Sequence, residues 1–267
     1  MKRHLLGLTT AMAIGGPPAL AADMAVKARP PVAVAEAVFS WTGFYVGLNA
    51  GGAWTSSDVT FTQTGPVFDQ PDRDFGNALG SPSTNRTGFT GGAQAGYNWQ
   101  SGIAVVGVET DINYLHTSAN VFRSGTLPVV PVVDTSTTAV STDWLYTLRG
   151  RAGLTSGRAL FYVTGGLAVG NERFSQFFLH TASGTFEAGS SSDTRVGWTV
   201  GAGGEYAFTN NWSVKAEYLY VDLGSTGFNS VNNLLPAFTA INSARLTENI
   251  GRVGINYHFN GPVVAKY

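Results

Sequence analysis

The chain has 267 residues, of which 34 are glycine and 12% are charged, and its formal net charge is −1. This small net charge argues against a nucleic-acid-binding surface, which usually carries a strong basic excess. A soluble domain typically carries about 25% charged residues, so the low value indicates an outer surface that is not mainly exposed to water. The absence of cysteine excludes disulfides and a lipid-modified N-terminal cysteine.

The N-terminus has the features of a secretory signal peptide over residues 1–21. A basic start at Lys2 and Arg3 is followed by a short apolar core over 5–14 and by small residues suited to cleavage over 19–21. The apolar core is too short to cross a bilayer as a helix. Residues 22–38 are rich in Ala, Val and Pro without helical or strand periodicity, which predicts a disordered periplasmic leader.

Eight segments after this leader alternate apolar and polar residues with a period of two, which predicts β-strands. Their glycine content is too high for helix interiors. In chain order the segments are 43–54, 88–100, 105–115, 143–154, 159–170, 195–208, 212–221 and 251–259.

The connections between the segments alternate strictly in length. SG, TSGR and TNN are hairpin turns, whereas 56–87, 117–142, 171–194 and 224–245 are long and rich in Ser, Thr and Asn. This alternation is typical of an antiparallel outer-membrane barrel. We therefore predict that residues 39–267 form an all-β fold, an eight-stranded antiparallel transmembrane β-barrel. It should have short periplasmic turns, four long extracellular loops and both termini in the periplasm.

The charged residues of the predicted strands share one face, opposite the aromatic residues. If the uncharged face meets lipid, no ion enters the hydrocarbon, where an Arg or Lys costs about 2–4 kcal/mol at the midplane. Enclosed charges need partners, so the inward set should pair internally. The predicted lumen charge network consists of Glu109, Asp111, Arg149, Arg151, Glu205, Lys215, Glu217 and Arg252.

Several segments together resemble a known family. FSWTGFYVGLNAGGAW, WLYTLRGRAGL, LFYVTGGLAVG, WSVKAEYLYVDLG and GRVGINYHF are similar to the small immunogenic outer-membrane proteins of alphaproteobacteria, in the opacity/OmpA-like barrel superfamily. The resemblance runs from Phe39 to the end. It implies a surface-exposed, porin-family barrel of eight strands in a Gram-negative outer membrane. Members of the family are described as structural, adhesive, haemin-binding or pore-forming proteins, so the resemblance leaves the function open.

The C-terminus offers two candidate assembly signals. In this family the last strand commonly ends on an aromatic residue that the assembly machinery reads, which implies a role for Phe259 or Tyr267. Asn260 and Gly261 favour a turn, and Pro262 cannot donate to a strand ladder. The membrane strand should therefore end near Phe259, with 263–267 as a short periplasmic extension.

We expect a structural or surface-interaction protein acting through its extracellular loops, and not an enzyme. The expected partners are outer-membrane lipid and lipopolysaccharide, the barrel-assembly machinery, and host or phage ligands at the loops, with no nucleic acid. We predict no catalytic residue, no cofactor and no metal site, because four-ligand spacing is absent.

Three alternatives remain open. A narrow porin-like channel is disfavoured because eight strands enclose only enough room for side chains. Haemin or another ligand bound through His116 or His180 is suggested by the family more than by the spacing. A hydrolase using His116 and Ser118 is the least favoured, because neighbours in sequence do not make a triad.

Overall fold

The computed structural model describes residues 39–65 and 69–259. The predicted signal peptide, the leader and the tail with Tyr267 lie outside these residues. The elements are β1 (Gly43–Thr64), α1 (Gln70–Gly80), β2 (Ser83–Ser101), β3 (Ala104–Thr126), β4 (Val133–Ser156), β5 (Ala159–His180), β6 (Thr185–Ala207), β7 (Trp212–Asn232) and β8 (Thr239–His258). In the described part of the chain, no helix is long and apolar enough to cross a membrane.

The eight strands form a closed ring in which each pairs antiparallel with the next, and β8 pairs with β1. Tyr45 lies opposite His258 and Ala50 opposite Val253 at this closing seam. Closure gives every strand two neighbours, so the backbone hydrogen-bonding groups are satisfied without water. The predicted eight-stranded antiparallel barrel is confirmed.

The outward face changes character along each strand. On β1 the outward positions from Phe44 to Trp54 are apolar or small, whereas Ser56, Asp58 and Thr60 follow beyond them. Ten steps of about 3.3 Å along a strand tilted by about 45° give a band roughly 23–25 Å tall, which matches the hydrocarbon-facing band of outer-membrane barrels. Exposed rings mark both edges of this band: Phe44, Trp99, Trp212 and Phe259 at one edge, and Trp54, Phe89, Tyr114 and Trp198 at the other.

The two ends of the barrel differ in how far the strands project. At the turn end, the connections are 102–103, 157–158 and 208–211, and Gly102 and Gly157 adopt φ values of 60° and 59°. This is the left-handed region that glycine tolerates in tight hairpins. At the opposite end, here called the far end, the connections are 65–82, 127–132, 181–184 and 233–238.

Three of the four long loops expected from the sequence are short connections in the structure, because most of their residues extend the strands past the apolar band. Their Ser and Thr content indicated loops, yet threonine is β-branched and suits strands. Val59, Phe61, Phe174 and Phe178 face inward and pack inside the projecting wall; on β1 they alternate with outward polar residues, whereas Phe178 lies between outward Phe177 and Leu179. The rings of Phe61 and Phe178 stack with centroids 5.0 Å apart.

The first far-end connection is long because it contains α1. Pro71 lies in the first turn of α1, where its missing N–H is not needed, and Leu79 faces the barrel. Leu79 and Phe75 pack on Phe61 and Phe178, so the helix covers part of the far opening with apolar contacts. The sequence pattern predicted a loop here and no helix.

Candidate functional site

All eight charged residues predicted for the lumen lie inside the barrel, on five of the eight strands. Each is at most 5% exposed. Four are acids and four are bases, so the set is formally neutral. β3 carries Glu109 and Asp111, β4 carries Arg149 and Arg151, β6 carries Glu205, β7 carries Lys215 and Glu217, and β8 carries Arg252.

Arg149 lies at the centre of this network. Its Nη2 donates to Asp111 Oδ2 at 2.7 Å and to Glu109, and its Nη1 donates to Glu217 Oε1 at 3.0 Å. Its Nε donates to Thr147 Oγ1 at 3.0 Å. A planar guanidinium can bridge several carboxylates in this way because its donors are fixed in a fork.

Two further cations bind the same carboxylates. Arg252 donates through Nε to Glu217 Oε2 at 2.9 Å and through Nη2 to Asp111 Oδ2 at 3.1 Å. Lys215 Nζ donates to Glu109 Oε1 at 2.8 Å. Every acid in this part of the network therefore contacts at least two bases, which offsets the cost of removing the charges from water.

Tyrosines connect Arg151 to the rest of the network. Arg151 donates to Glu205 Oε2 at 2.9 Å and to the hydroxyl of Tyr45 at 2.9 Å, while Tyr45 donates to Glu109 Oε2 at 2.6 Å. The Arg151 Cζ lies 4.0 Å from the ring centroid of Tyr162. Neither tyrosine was among the residues predicted for the network, although their position on the charged face of the strands was a usable signal.

Apolar layers lie on both sides of the network. Toward the far end, nine buried apolar side chains form one cluster: Ala53, Leu115, Leu145, Ala168, Leu219, Val221, Leu223, Leu246 and Ile250. At the turn end, Phe39 and Trp41 pack with Val105, Leu160 and Tyr162. Trp41 is fully buried, and its indole N–H donates to Thr155 Oγ1 at 3.1 Å. The short segment before β1 therefore fills the mouth of the barrel, which the alternation pattern of the sequence did not predict.

A second set of buried charges lies beyond the nine-residue apolar layer. Thr55 of β1 is the register partner of Arg86 on β2 and of Glu248 on β8, and Glu172 is electrostatically coupled to both charges. Arg86 Nη1 donates to the carbonyl of Val140 at 2.6 Å. Within the described part of the chain, neither carboxylate oxygen of Glu172 or Glu248 has a direct hydrogen-bond partner. This layer is therefore much less well paired than the network below it.

A third charged group lies at the far end, well outside the membrane-spanning segments. His180 Nδ1 lies 2.8 Å from Asp134 Oδ2, and its Nε2 lies 3.6 Å from Glu187 Oε1. Burial alone would lower the pKa of the His180 imidazole, but the hydrogen bonds to Asp134 and Glu187 prevail and raise it to about 9. The ring is therefore protonated at neutral pH and presents no lone pair to an iron atom, which disfavours His180 as a haem ligand.

His116 lies elsewhere, on the outward face of β3. It is exposed, and its ring stacks against Tyr114 with centroids 6.1 Å apart. Ser118 lies two residues further along the same exposed face. His116 and Ser118 are thus part of a polar outer wall just past the aromatic edge of the apolar band.

Comparison with known proteins agrees with this architecture. Residues 19–260 match the family model of the outer membrane protein beta-barrel domain. The chain belongs to this outer-membrane β-barrel family. The resemblance inferred from the sequence is therefore confirmed, and the protein is an outer-membrane protein.

Relatives of this barrel include the 31 kDa outer-membrane immunogenic protein of Brucella melitensis, which is 37% identical over 244 residues. That match covers 90% of this chain and 93% of the relative. The 22 kDa outer membrane protein of Rhizobium leguminosarum is 31% identical over 191 residues, covering 71% of this chain and 67% of that protein. Among solved structures, OprG from Pseudomonas aeruginosa shares the fold, with a TM-score of 0.51 at 13% identity over 82% of this chain and 97% of OprG.

Of the two candidate assembly signals of this barrel, the structure describes Phe259. Its backbone N–H donates to the carbonyl of Phe44 at 3.0 Å, and its ring is 5.6 Å from that of Phe44. Its side chain is exposed at the turn-end edge of the apolar band. Phe259 therefore ends the ladder at the seam where the first and last strands close the ring.

Proposed function

We propose that this outer-membrane barrel is a structural protein with a sealed lumen, which interacts with its surroundings through the far end. In this proposal the far end faces the cell exterior and the turn end faces the periplasm. The observation that carries the proposal is the succession of layers inside the barrel: an aromatic plug at the turn end, a neutral charge network, and then nine buried apolar side chains.

The layers argue against a diffusion pore. An ion crossing the barrel would have to shed most of its water in a layer lined mainly by apolar side chains. It would also have to enter a network in which the eight charges already balance one another. An eight-stranded barrel has little interior space beyond that filled by its side chains. Any solute crossing it would therefore meet both the apolar layer and the charge network.

The projecting walls support an interaction role for the far end. Their outward faces carry serine, threonine and asparagine together with exposed Phe122 and Phe177, and their cores are held by phenylalanine clusters. Such a wall can present polar groups above a membrane, because its backbone is paired along most seams, although β6 and β7 are not paired between Ala188 and Trp198. The relatives that are named immunogenic are consistent with a surface presented outside the cell.

Lipid and assembly partners follow from the same geometry. The two aromatic edges suit the headgroup levels of the outer membrane. Just beyond the far edge, Arg173 and Arg245 are exposed and paired with Asp143 and Asp222, each at 2.7 Å, which suits contact with lipopolysaccharide. Phe259, at the closing seam, is our candidate for recognition by the assembly machinery, with Tyr267 as the alternative. Host or phage ligands would bind at the far-end connections.

Cysteine labelling of whole cells tests the orientation. The chain contains no cysteine, so Thr181→Cys in a far-end turn and Asn210→Cys in a turn-end hairpin each provide a single site. We expect a membrane-impermeant maleimide to label the first variant in intact cells and the second only after lysis. The reverse pattern would refute the orientation.

Planar bilayer recordings test the sealed lumen. We expect the purified protein to insert without stepwise single-channel currents. Reproducible steps of constant size would contradict a sealed lumen and favour the porin-like alternative.

A further inference from the structure

A cavity of about 330 Å³ opens at the far end, where all four far-end connections meet. It is bounded by the start of α1, by the connections 127–132 and 233–238, and by the turn 181–184. This volume is at the lower end of the range for small-molecule pockets. The cavity lies well away from the lumen network and is not explained by it.

The walls of the cavity are apolar. They are formed by Leu127, Val130, Val132, Leu235 and Phe238. Leu235 is 51% exposed and Val130 is 49% exposed, whereas Phe238 is buried, so the cavity has an accessible rim and a closed interior. Such walls favour the apolar part of a ligand through burial of its surface.

The floor of the cavity is acidic. Asp134 lines it and is 1% exposed; its Oδ2 contacts His180, while its Oδ1 has no hydrogen-bond partner among the residues that the structure describes. A buried carboxylate oxygen without a partner carries a desolvation cost that a ligand donor can relieve.

The charges around the floor leave a negative excess. The His180 imidazolium lies between the carboxylates of Asp134 and Glu187, so the three groups together carry one negative charge. Asp72 and Asp69 line the same cavity from α1, and Asp72 accepts the backbone N–H of Val129 at 2.8 Å. Among the described residues that line the cavity, His180 is the only one with a basic side chain. An anion is therefore repelled, while a cation gains both charge pairing and a hydrogen bond to Asp134 Oδ1.

We propose that this cavity binds a small organic cation, with its ammonium group against Asp134 and its apolar body against Leu127, Val130 and Leu235. A bare metal ion fits less well, because the apolar walls provide it with no ligand atoms. In addition, no group of three His, Cys, Asp or Glu that could hold a metal occurs in the described residues. The inference rests on the proposed function only for placing the cavity outside the cell.

The test uses the full-length barrel in nanodiscs of zwitterionic lipid, with 2-phenylethylammonium as the probe and 2-phenylethanol as its neutral counterpart. Binding is measured by saturation-transfer NMR and calorimetry. We expect the cation to bind about tenfold more tightly or better, because a charge-assisted hydrogen bond exceeds a neutral one. Equal binding of the two probes, or no binding of the cation, would overturn the proposal.

Variants locate the site. Asp134→Asn removes the floor charge, and Ala182→Trp adds a large side chain at an exposed turn that lines the cavity and leaves every acidic residue of the floor in place. Asp58→Asn is the matched control, since it removes the same charge from an exposed position on the outer wall of β1. We expect both cavity variants to lose cation binding and the control to keep it.

Heat-dependent gel mobility shows whether each variant folds. If Asp134→Asn does not fold, the binding result for Ala182→Trp tests whether the cavity is the site. Full binding by folded Ala182→Trp, or an equal loss in Asp58→Asn, would refute the cavity as the site. Because binding is measured on purified protein, its failure is distinct from a failure of the cell-labelling test. Reversed labelling would move the cavity to the periplasm and leave the binding result unchanged.

Discussion

Replacing Arg149 with methionine tests whether the lumen network stabilises the barrel. The change keeps an unbranched side chain of similar length and removes a fully buried charge that contacts Glu109, Asp111 and Glu217. Three hydrogen bonds to charged groups are together worth roughly 5–9 kcal/mol before relaxation. Lys215 and Arg252 already contact the same carboxylates and can take up part of the loss. We therefore expect the free energy of unfolding to fall by about 3–5 kcal/mol.

The assay is equilibrium urea unfolding from lipid vesicles, followed by the fluorescence of the six tryptophans. Arg173→Met is the control, because this arginine is 59% exposed and pairs with Asp143 at 2.7 Å on the outer wall, where a salt bridge is worth about 0–1 kcal/mol. Adding Glu109→Gln to Arg149→Met restores neutrality and should recover part of the lost stability. If Arg149→Met lies within about 1 kcal/mol of Arg173→Met, the network does not stabilise the barrel as argued.

Three further predictions concern other parts of the barrel. The pKa of His180 is raised to about 9 from about 6.5 in the unfolded chain. Protonated His180 should therefore add about 1–2 kcal/mol to the free energy of unfolding, in full below pH 6.5 and lost as pH rises through 9. His180→Gln should flatten the dependence of the free energy of unfolding on pH over this interval. Glu248→Gln should be neutral or stabilising by about 1 kcal/mol, because the Glu248 carboxylate lacks direct partners among the described residues. Glu217→Gln should instead destabilise the barrel by about 3 kcal/mol, because it breaks the contact with Arg252. Equal urea midpoints for the two variants would refute the distinction. Phe259→Ala should impair assembly into outer membranes while deletion of 261–267 leaves it intact; the opposite result, read from membrane fractions, would make Tyr267 the signal.

The sequence by itself determined the fold class, the membrane strands and the side of each strand that faces the lumen. These follow from local alternation, because successive side chains on a strand point to opposite faces whatever the strand pairs with. The charge-free face could then be assigned to lipid on energetic grounds alone. For this reason all eight charges named from the sequence, including Arg149 and Glu217, lie inside the barrel.

The length of the strands was harder to predict. Beyond the apolar band the outward residues become polar, so segments such as VTFTQT lose the contrast that marks a membrane strand. Their inward residues still alternate, and Val59 and Phe61 pack against side chains from β4, β5 and β8. The signal that extends these strands is thus a contact with distant strands, which composition does not reveal.

Only the tertiary structure decided which side chains meet. Arg149 contacts Glu217 across 68 residues of sequence, and His180 contacts Asp134 across 46. These pairs depend on the register around the closed ring and on the height that each residue reaches along the barrel axis. Trp41 fills the turn-end mouth for the same reason, since it enters a space that exists only once the ring has closed. Alternation fixes the direction of a side chain, but closure of the sheet fixes its neighbours.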